Sequence, residues 1–548
     1  MIAAATRNLR RLLPSRRDYA DLPRSWRRDV LAGVTVGVVA LPLALAFGIS
    51  SGVGAAAGLI TAVVAGLVAA VFGGSAVQVS GPTGAMAVVL APIVASHGLG
   101  SIALVTLLGG LIVLLAGVTG LGRAVTFIPW PVIEGFTLGI AAIIFLQQVP
   151  AAFSATSPPG QRTLTAAWQV VTHADWSQAG KTLGVIAFVA ALMLLLPRIH
   201  QAIPESLAAV IAATVVVAAL GISVATIGEL PSHLPAPVLP HADAGALRDL
   251  FGAALAIAAL AAIESLLSAR VAATMAPTGP YDPDRELVGQ GLASVASGVF
   301  GGMPATGAIA RTAVNVRSGA RTRLSAVVHS LVLLGVVYLA TGPVSAIPLA
   351  ALSGVLMVTS FRMISWSTIR KIVTSTRSDA LTFVLTAVIT VCFDLIEAVE
   401  IGILVAAFFA LHSVARRSSV VREELPAPYQ PGDEEIALLR LDGAMFFGVA
   451  ERISNAIIDS DHPRTSVVII RMSQLGMLDA TGANTLAQIC TELEARGITV
   501  IIKGVRPEHS ALLSSVGVFE SLRHENHLVD TLDEAIEHAR THAHRQPH

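Results

Sequence analysis

Val71-Phe72-Gly73-Gly74, soon followed by Pro82-Thr83-Gly84-Ala85, recurs as Val299-Phe300-Gly301-Gly302 followed by Pro304-Ala305-Thr306-Gly307-Ala308. In both copies a glycine- and proline-rich stretch interrupts an apolar run and precedes a short apolar segment. Irregular backbone at membrane depth survives only where protein or a water-filled cavity surrounds it, and such paired interruptions in two halves of a chain point to a carrier's binding site. Each short helix would begin with unpaired N–H groups and the positive end of its dipole, about half an elementary charge. Two such ends facing each other hold an anion without a metal, and the hydroxyls of Thr83 and Thr306 add donors. Glycine and threonine at helix starts also serve close helix packing, and that reading stays beside the first.

The rest of the chain supports a membrane setting. Its 548 residues are 54% hydrophobic and 13% charged, whereas soluble domains carry about a quarter charged residues. A span needs about 20 apolar residues, fewer where a half-helix is buried in protein. That ruler gives fourteen segments: 30–50, 56–72, 83–95, 102–121, 127–148, 182–196, 207–227, 250–270, 287–300, 306–316, 324–340, 347–361, 380–393 and 398–413, with a polar loop at 151–181. Seven spans per half is an odd number, so the second copy of the repeat enters the membrane inverted. Arg7, Arg10, Arg11, Arg16, Arg17, Arg24, Arg27 and Arg28 precede the first span and place that end in the cytoplasm. An even count brings the chain back there, flanked by Arg416, Arg417 and Arg422. A multi-pass protein of the inner (plasma) membrane is expected, its first apolar stretch a span and not a cleaved signal peptide.

Five regions are expected: a basic cytosolic segment (1–28), a transmembrane domain (29–415), a linker (416–434), a small cytosolic α/β domain (435–541) and a polar tail (542–548). In the α/β domain, 436–441, 466–470 and 499–503 read as strands and 483–496, 508–516 and 532–539 as helices.

Several function classes are excluded. Lys plus Arg and Asp plus Glu each number 36, so no global field draws nucleic acid. Cys392 and Cys490 supply neither a disulfide framework nor a cysteine metal site. There is no P-loop, no His/Cys cluster of metal-ligand spacing and no nucleophile motif, so the chain is not read as an enzyme and no cofactor is expected. His538, His542, His544 and His548 form a solvated tail or scavenge a metal.

Glu264 stands in the middle of an apolar segment, where an ionised carboxylate costs roughly 2.5–3.5 kcal/mol. It needs a proton, a cavity or a partner. One reading makes it a proton acceptor that neutralises itself as an anion is carried; the other pairs it permanently with Arg311 or Arg270. Arg311 either adds positive charge behind the anion site or locks its helix through a salt bridge. Glu134, Arg123, Gln147 and Gln148 read as helix-end anchors and interhelical hydrogen-bonding groups.

The segments Ala40-Leu41-Pro42-Leu43-Ala44-Leu45-Ala46-Phe47-Gly48, Ser80-Gly81-Pro82-Thr83-Gly84 and Gly302-Met303-Pro304-Ala305-Thr306-Gly307-Ala308-Ile309-Ala310-Arg311-Thr312 resemble those of the SulP transporters. That family includes bacterial bicarbonate, sulfate and C4-dicarboxylate carriers and the animal anion exchangers related to prestin and pendrin. The resemblance implies fourteen helices in two inverted seven-helix repeats, a core moving like an elevator against a gate domain, and a homodimer. It implies an anion held between the third and tenth helices, with contacts at Leu43, Phe47, Thr83, Gly84, Thr306, Gly307, Ala308 and Ala310. Glu264 and Ser268 match the sodium-binding positions of sodium-coupled members, where the first is aspartate. Glutamate there, together with Arg311, looks more like the proton-coupled members, so a proton is the expected coupling ion in preference to sodium. Proton-coupled symport is therefore expected, and chloride/bicarbonate-type exchange or an uncoupled channel is the alternative.

Leu478-Asp479-Ala480-Thr481-Gly482 resembles the motif of the STAS domain, the sulfate-transporter and anti-sigma-factor-antagonist module. Antagonists carry a phosphorylatable serine where this chain has Ala480, so that switch does not transfer. Asp479 is expected to cap the following helix, with Thr481 as a weaker phosphorylation candidate. A cytosolic protein partner for this domain follows from the resemblance alone.

Overall fold

Apolar runs of this length leave the backbone one way to satisfy its polar groups in lipid, which is to close hydrogen bonds within each segment as helix. The computed structural model describes residues 11–123, 129–155, 163–174, 176–199, 204–240, 244–276, 278–392, 395–458 and 465–543. The chain divides into two units, residues 1–403 and 404–548. Arg7, Arg10, His544 and His548, and the predicted segment ends at 127 and 393, lie outside the described residues.

The helices of the first unit are α1 (Leu22–Ser50), α2 (Ala55–Phe72), α3 (Gly84–His97), α4 (Gly100–Val118), α5 (Trp130–Ala152), α6 (Thr163–Thr172), α7 (Trp176–Ile199), α8 (Glu205–Ala219), α9 (Ala244–Met275), α10 (Pro283–Val299), α11 (Ile309–Arg317), α12 (Leu324–Leu339), α13 (Thr341–Ser345), α14 (Leu349–Met363), α15 (Trp366–Val373) and α16 (Arg377–Cys392). α17 (Leu395–Arg417) runs across the division. Among the described residues, seven helices are long and apolar enough to cross a membrane, and shorter apolar helices include Gly84–His97 and Leu324–Leu339. Each predicted apolar segment falls on a helix, with two differences of substance. The stretch read as a polar loop contains α6 and the start of α7. The seventh segment is helical only to Ala219, because Gly221 turns the chain and the β-branched residues that follow pair with 345–349, Thr226 opposite Pro348.

The repeated glycines make two reciprocal clasps. Glu286 on α10 is buried, and its Oε2 accepts the N–H groups of Gly74 (2.8 Å) and Ser75 (2.9 Å) in the loop after α2. Thr61 on α2 accepts the N–H of Met303 (2.8 Å) in the loop after α10. Each helix thus satisfies the backbone that follows the other. Glu286→Ala orphans two donors, that of Ser75 buried and that of Gly74 partly so, at about 1–3 kcal/mol for the buried one, so we expect a clear fall in the melting temperature of the purified protein, checked by tryptophan fluorescence in detergent.

In the second unit β3 (Ser419–Glu423), β4 (Ile436–Met445), β5 (Val467–Arg471), β6 (Leu475–Leu478), β7 (Thr499–Lys503) and β8 (Leu528–Val529) form one sheet. Its order is β3-β4-β5-β7-β8, with β6 also on β4, and every pairing but β3–β4 is parallel. Buried runs such as Val467–Ile470 need cover on both faces. Helices α18 (Ala450–Ile458), α19 (Ala480–Ala495), α20 (Pro507–Val516) and α21 (Leu532–Ala543) provide it. Two sequence expectations are corrected here. Ser419–Glu423, assigned to the linker, is an edge strand, held because Glu423 pairs with Arg440 and, at 2.9 Å, Arg471. The tail assigned from 542 begins inside α21, whose apolar stripe Ala535, Ile536, Ala539 and Ala543 is buried.

Candidate functional site

The two interrupted stretches meet. β1 (Ser80–Gly81) and β2 (Thr306–Gly307) pair antiparallel, Ser80 opposite Gly307 and Gly81 opposite Thr306. The chain therefore enters α3 and α11 from opposite directions, and the two helix starts lie side by side. Thr83 Oγ1 and Thr306 Oγ1 are 3.1 Å apart. Thr83 is the N-cap of α3, whereas Ala308, the N-cap of α11, has no side chain to satisfy the first-turn N–H groups.

Each position in Ser80-Gly81-Pro82-Thr83-Gly84 has its own task. Ser80 Oγ accepts from Gln290 Nε2 at 2.7 Å. Gly81 has φ +153°, and Arg311 occupies the space a side chain there would take. The Pro82 carbonyl accepts from Arg311 Nη2 at 2.6 Å. Gly84 leaves room for Phe47 and Ile144, which pack over the start of α3.

α9 laces this ribbon from one side. Glu264 Oε2 accepts from Thr83 Oγ1 at 2.9 Å and from Thr306 Oγ1 at 2.8 Å. One turn on, Ser268 Oγ lies 3.3 Å from Thr312 Oγ1, which accepts the N–H of Val79. Ser268 is thus directed to the back of the ribbon and not to the threonine pair. Among the described residues no ion-pair contact joins Glu264 to Arg311 or Arg270; its carboxylate bonds the two threonines, and Arg311 bonds the Pro82 carbonyl. Glu264 is partly exposed and Ala310, in the first turn of α11, is exposed, while Arg311 is buried behind them. Leu43 and Phe47 are buried on α1. Gln147 and Gln148 bond Ser50 across helices, and Glu134 accepts from Trp130 one turn back in the same helix.

Sequence reasoning missed five groups here. Ser265 accepts the N–H of Gly307 at 3.0 Å. Thr312 and Gln290 brace the ribbon as described. Gln78, whose amide is buried without a partner, lies against Gly307. His329 on α12 is fully buried with neither ring nitrogen hydrogen-bonded, and an imidazole in an apolar run was the available signal.

A family model described as Sulfate permease family matches residues 26–386, and one for the STAS domain matches 428–535. The chain belongs to the sulfate permease family. Within that family it is similar to YvdB of Bacillus subtilis (strain 168), 32% identical over 93% of this chain and 97% of that protein. It is similar to the bicarbonate transporter BicA of Synechocystis sp., 32% identical over 94% of each chain. The solved structure of SLC26A9, 17% identical, covers 98% of this chain and 94% of its own with a TM-score of 0.83, and shows the same fold. A family protein of this fold is a multi-pass membrane anion transporter carrying a STAS domain, not an enzyme.

In the STAS domain Asp479 is the N-cap of α19, its Oδ1 accepting the N–H of Gly482 at 2.7 Å. Its Oδ2 accepts from Phe447 N at 3.2 Å. Ala480 and Thr481 are exposed in the first turn. Cys490 is buried in α19, and burial pushes its thiol up to about 12, out of reach of thiolate chemistry. Asp479→Ala removes a cap worth about 1 kcal/mol, so the domain's calorimetric transition is expected to move down by a few degrees.

Proposed function

We propose that this transporter is a proton-coupled symporter of a small anion of the bicarbonate, sulfate or C4-dicarboxylate class. The anion sits between the starts of α3 and α11, contacted by Phe47, Leu43, Thr83, Gly84 and Thr306 to Ala310. The observation that carries this reading is that one oxygen of Glu264 takes the hydroxyls of both Thr83 and Thr306. An ionised Glu264 is itself an anion at the paired helix starts. A second negative charge about 5 Å away is opposed by about 3 kcal/mol at an effective dielectric of 20. Anion binding therefore favours the protonated carboxyl, and by linkage protonation favours the anion to the same degree.

The same proposal includes fourteen spans in two inverted repeats, both ends of the chain in the cytoplasm, an elevator movement of the site and a homodimer. The internal sequence repeat, the reciprocal clasps of Glu286 and Thr61, and the basic flanks support it. A cytosolic protein partner reading the exposed start of α19 at Thr481 belongs to it as well.

Uptake of labelled sulfate, bicarbonate and succinate into proteoliposomes, with and without a pH gradient and with and without sodium, tests the reading. Accumulation driven by an inward proton gradient and indifferent to sodium is expected. Sodium-driven accumulation, or equilibration without accumulation under either gradient, overturns it.

A further inference from the structure

We propose that the STAS domain carries a transition-metal site of the zinc class, built by His527, His538 and His542, that fastens α21 to the turn ahead of β8. Ligand nitrogens of these three residues all lie within 4.8 Å of one another. Their ring centroids form a nearly equilateral triangle, 5.3 Å from His527 to His538, 5.1 Å from His527 to His542 and 5.0 Å from His538 to His542. Tetrahedral zinc with Zn–N of about 2.0–2.1 Å spaces its nitrogens about 3.3 Å apart, so small side-chain rotations bring the three onto one ion.

The elements that present them are fixed by packing. His538 and His542 are one turn apart and share a face of α21. Burial of Ala535, Ile536 and Ala539 and the paired bonds from Arg540 to Asp433, at 2.7 and 2.8 Å, hold that helix in place. His527 ends a short helical turn, Glu525–His527, leading directly into β8, which pairs with β7.

A second observation points to a ligand. His527 is 0% exposed, and neither of its ring nitrogens meets a hydrogen-bond partner; Nε2 of His538 is also buried and unpartnered. Most buried polar atoms in native proteins are satisfied, and what sets these nitrogens apart is that they converge with those of His542 on one point. Glu494 Oε1 lies 4.0 Å from His527 Nδ1, near enough that a small rotation would make it the outer carboxylate that commonly orients a metal-bound imidazole. Three histidines leave a fourth position for water or for His524, whose ring is 5.4 Å from that of His527.

The test uses the full chain, purified without a histidine tag and stripped with EDTA. Zinc is titrated in competition with a chromophoric chelator, and cobalt(II) is added separately to read the visible spectrum. One tight zinc per chain and the intense absorption of a four-coordinate cobalt site are expected. His538→Ala/His542→Ala should weaken zinc at least 100-fold and remove the zinc-induced rise in melting temperature, whereas His544→Ala/His548→Ala should keep both. Absence of tight zinc and of the cobalt spectrum in the unmodified chain overturns the proposal. So does a tight site lost with His544 and His548 but kept without His538 and His542.

Discussion

Glu264→Gln is expected to abolish proton-gradient-driven accumulation while leaving downhill anion movement measurable. Glutamine keeps the shape of a protonated glutamate and can still accept from Thr83 and Thr306, whose hydroxyls lie 2.9 and 2.8 Å from the carboxylate oxygen. It cannot bind or release the proton. For a monovalent anion carried with one proton, each unit of pH difference supports about tenfold accumulation. In proteoliposomes the accumulation ratio of the variant should fall from about ten to about one, with little change in the rate of anion exchange across equal pH. A variant that still accumulates tenfold would assign the coupling elsewhere, and fully buried His329 on α12 would be the next group to examine. A variant that fails to bind anion at all would make Glu264 a structural brace of the ribbon.

The short helices were legible because their interruption occurs twice, and a glycine-proline break in an apolar run has few structural uses. Glu264 was legible because a charge in lipid is costly. The residues that brace the site were not. Serine and threonine within apolar helices usually return their hydroxyls to the carbonyl one turn back, as Thr386 and Thr390 do here. Nothing local distinguishes those two from Ser265 or Thr312, which bond the ribbon. Their roles depend on a contact between segments about forty residues apart or more. The strand Ser419–Glu423 was hidden for a related reason: an edge strand with a charged end reads as linker until its partner is known. The pair His538 and His542 shows helical spacing in the sequence, but His527 joins them only through the fold of the sheet.

Arg311→Gln is expected to raise the KM for anion uptake by about thirtyfold, as the loss of a charge about 8 Å from the anion at an effective dielectric of 20 implies, without a matching loss of folded protein. The guanidinium is 2% exposed, in the first turn of α11. One terminal nitrogen donates to the Pro82 carbonyl at 2.6 Å, and the other, against Gly81, has no hydrogen-bond partner. With no ion-pair contact to a carboxylate among the described residues, its charge adds to the two helix dipoles on the ribbon that carries the proposed anion site. Arg311→Lys separates the two roles first read from the sequence. Lysine restores charge but not the planar fork that spans Pro82 and Gly81. If the charge serves the anion, Lys should recover a large part of the KM lost in Gln while the melting temperatures of the two variants stay close. If the residue only locks α11 to the first repeat, Gln and Lys should both lower the melting temperature, and whatever protein remains folded should transport with an unaltered KM.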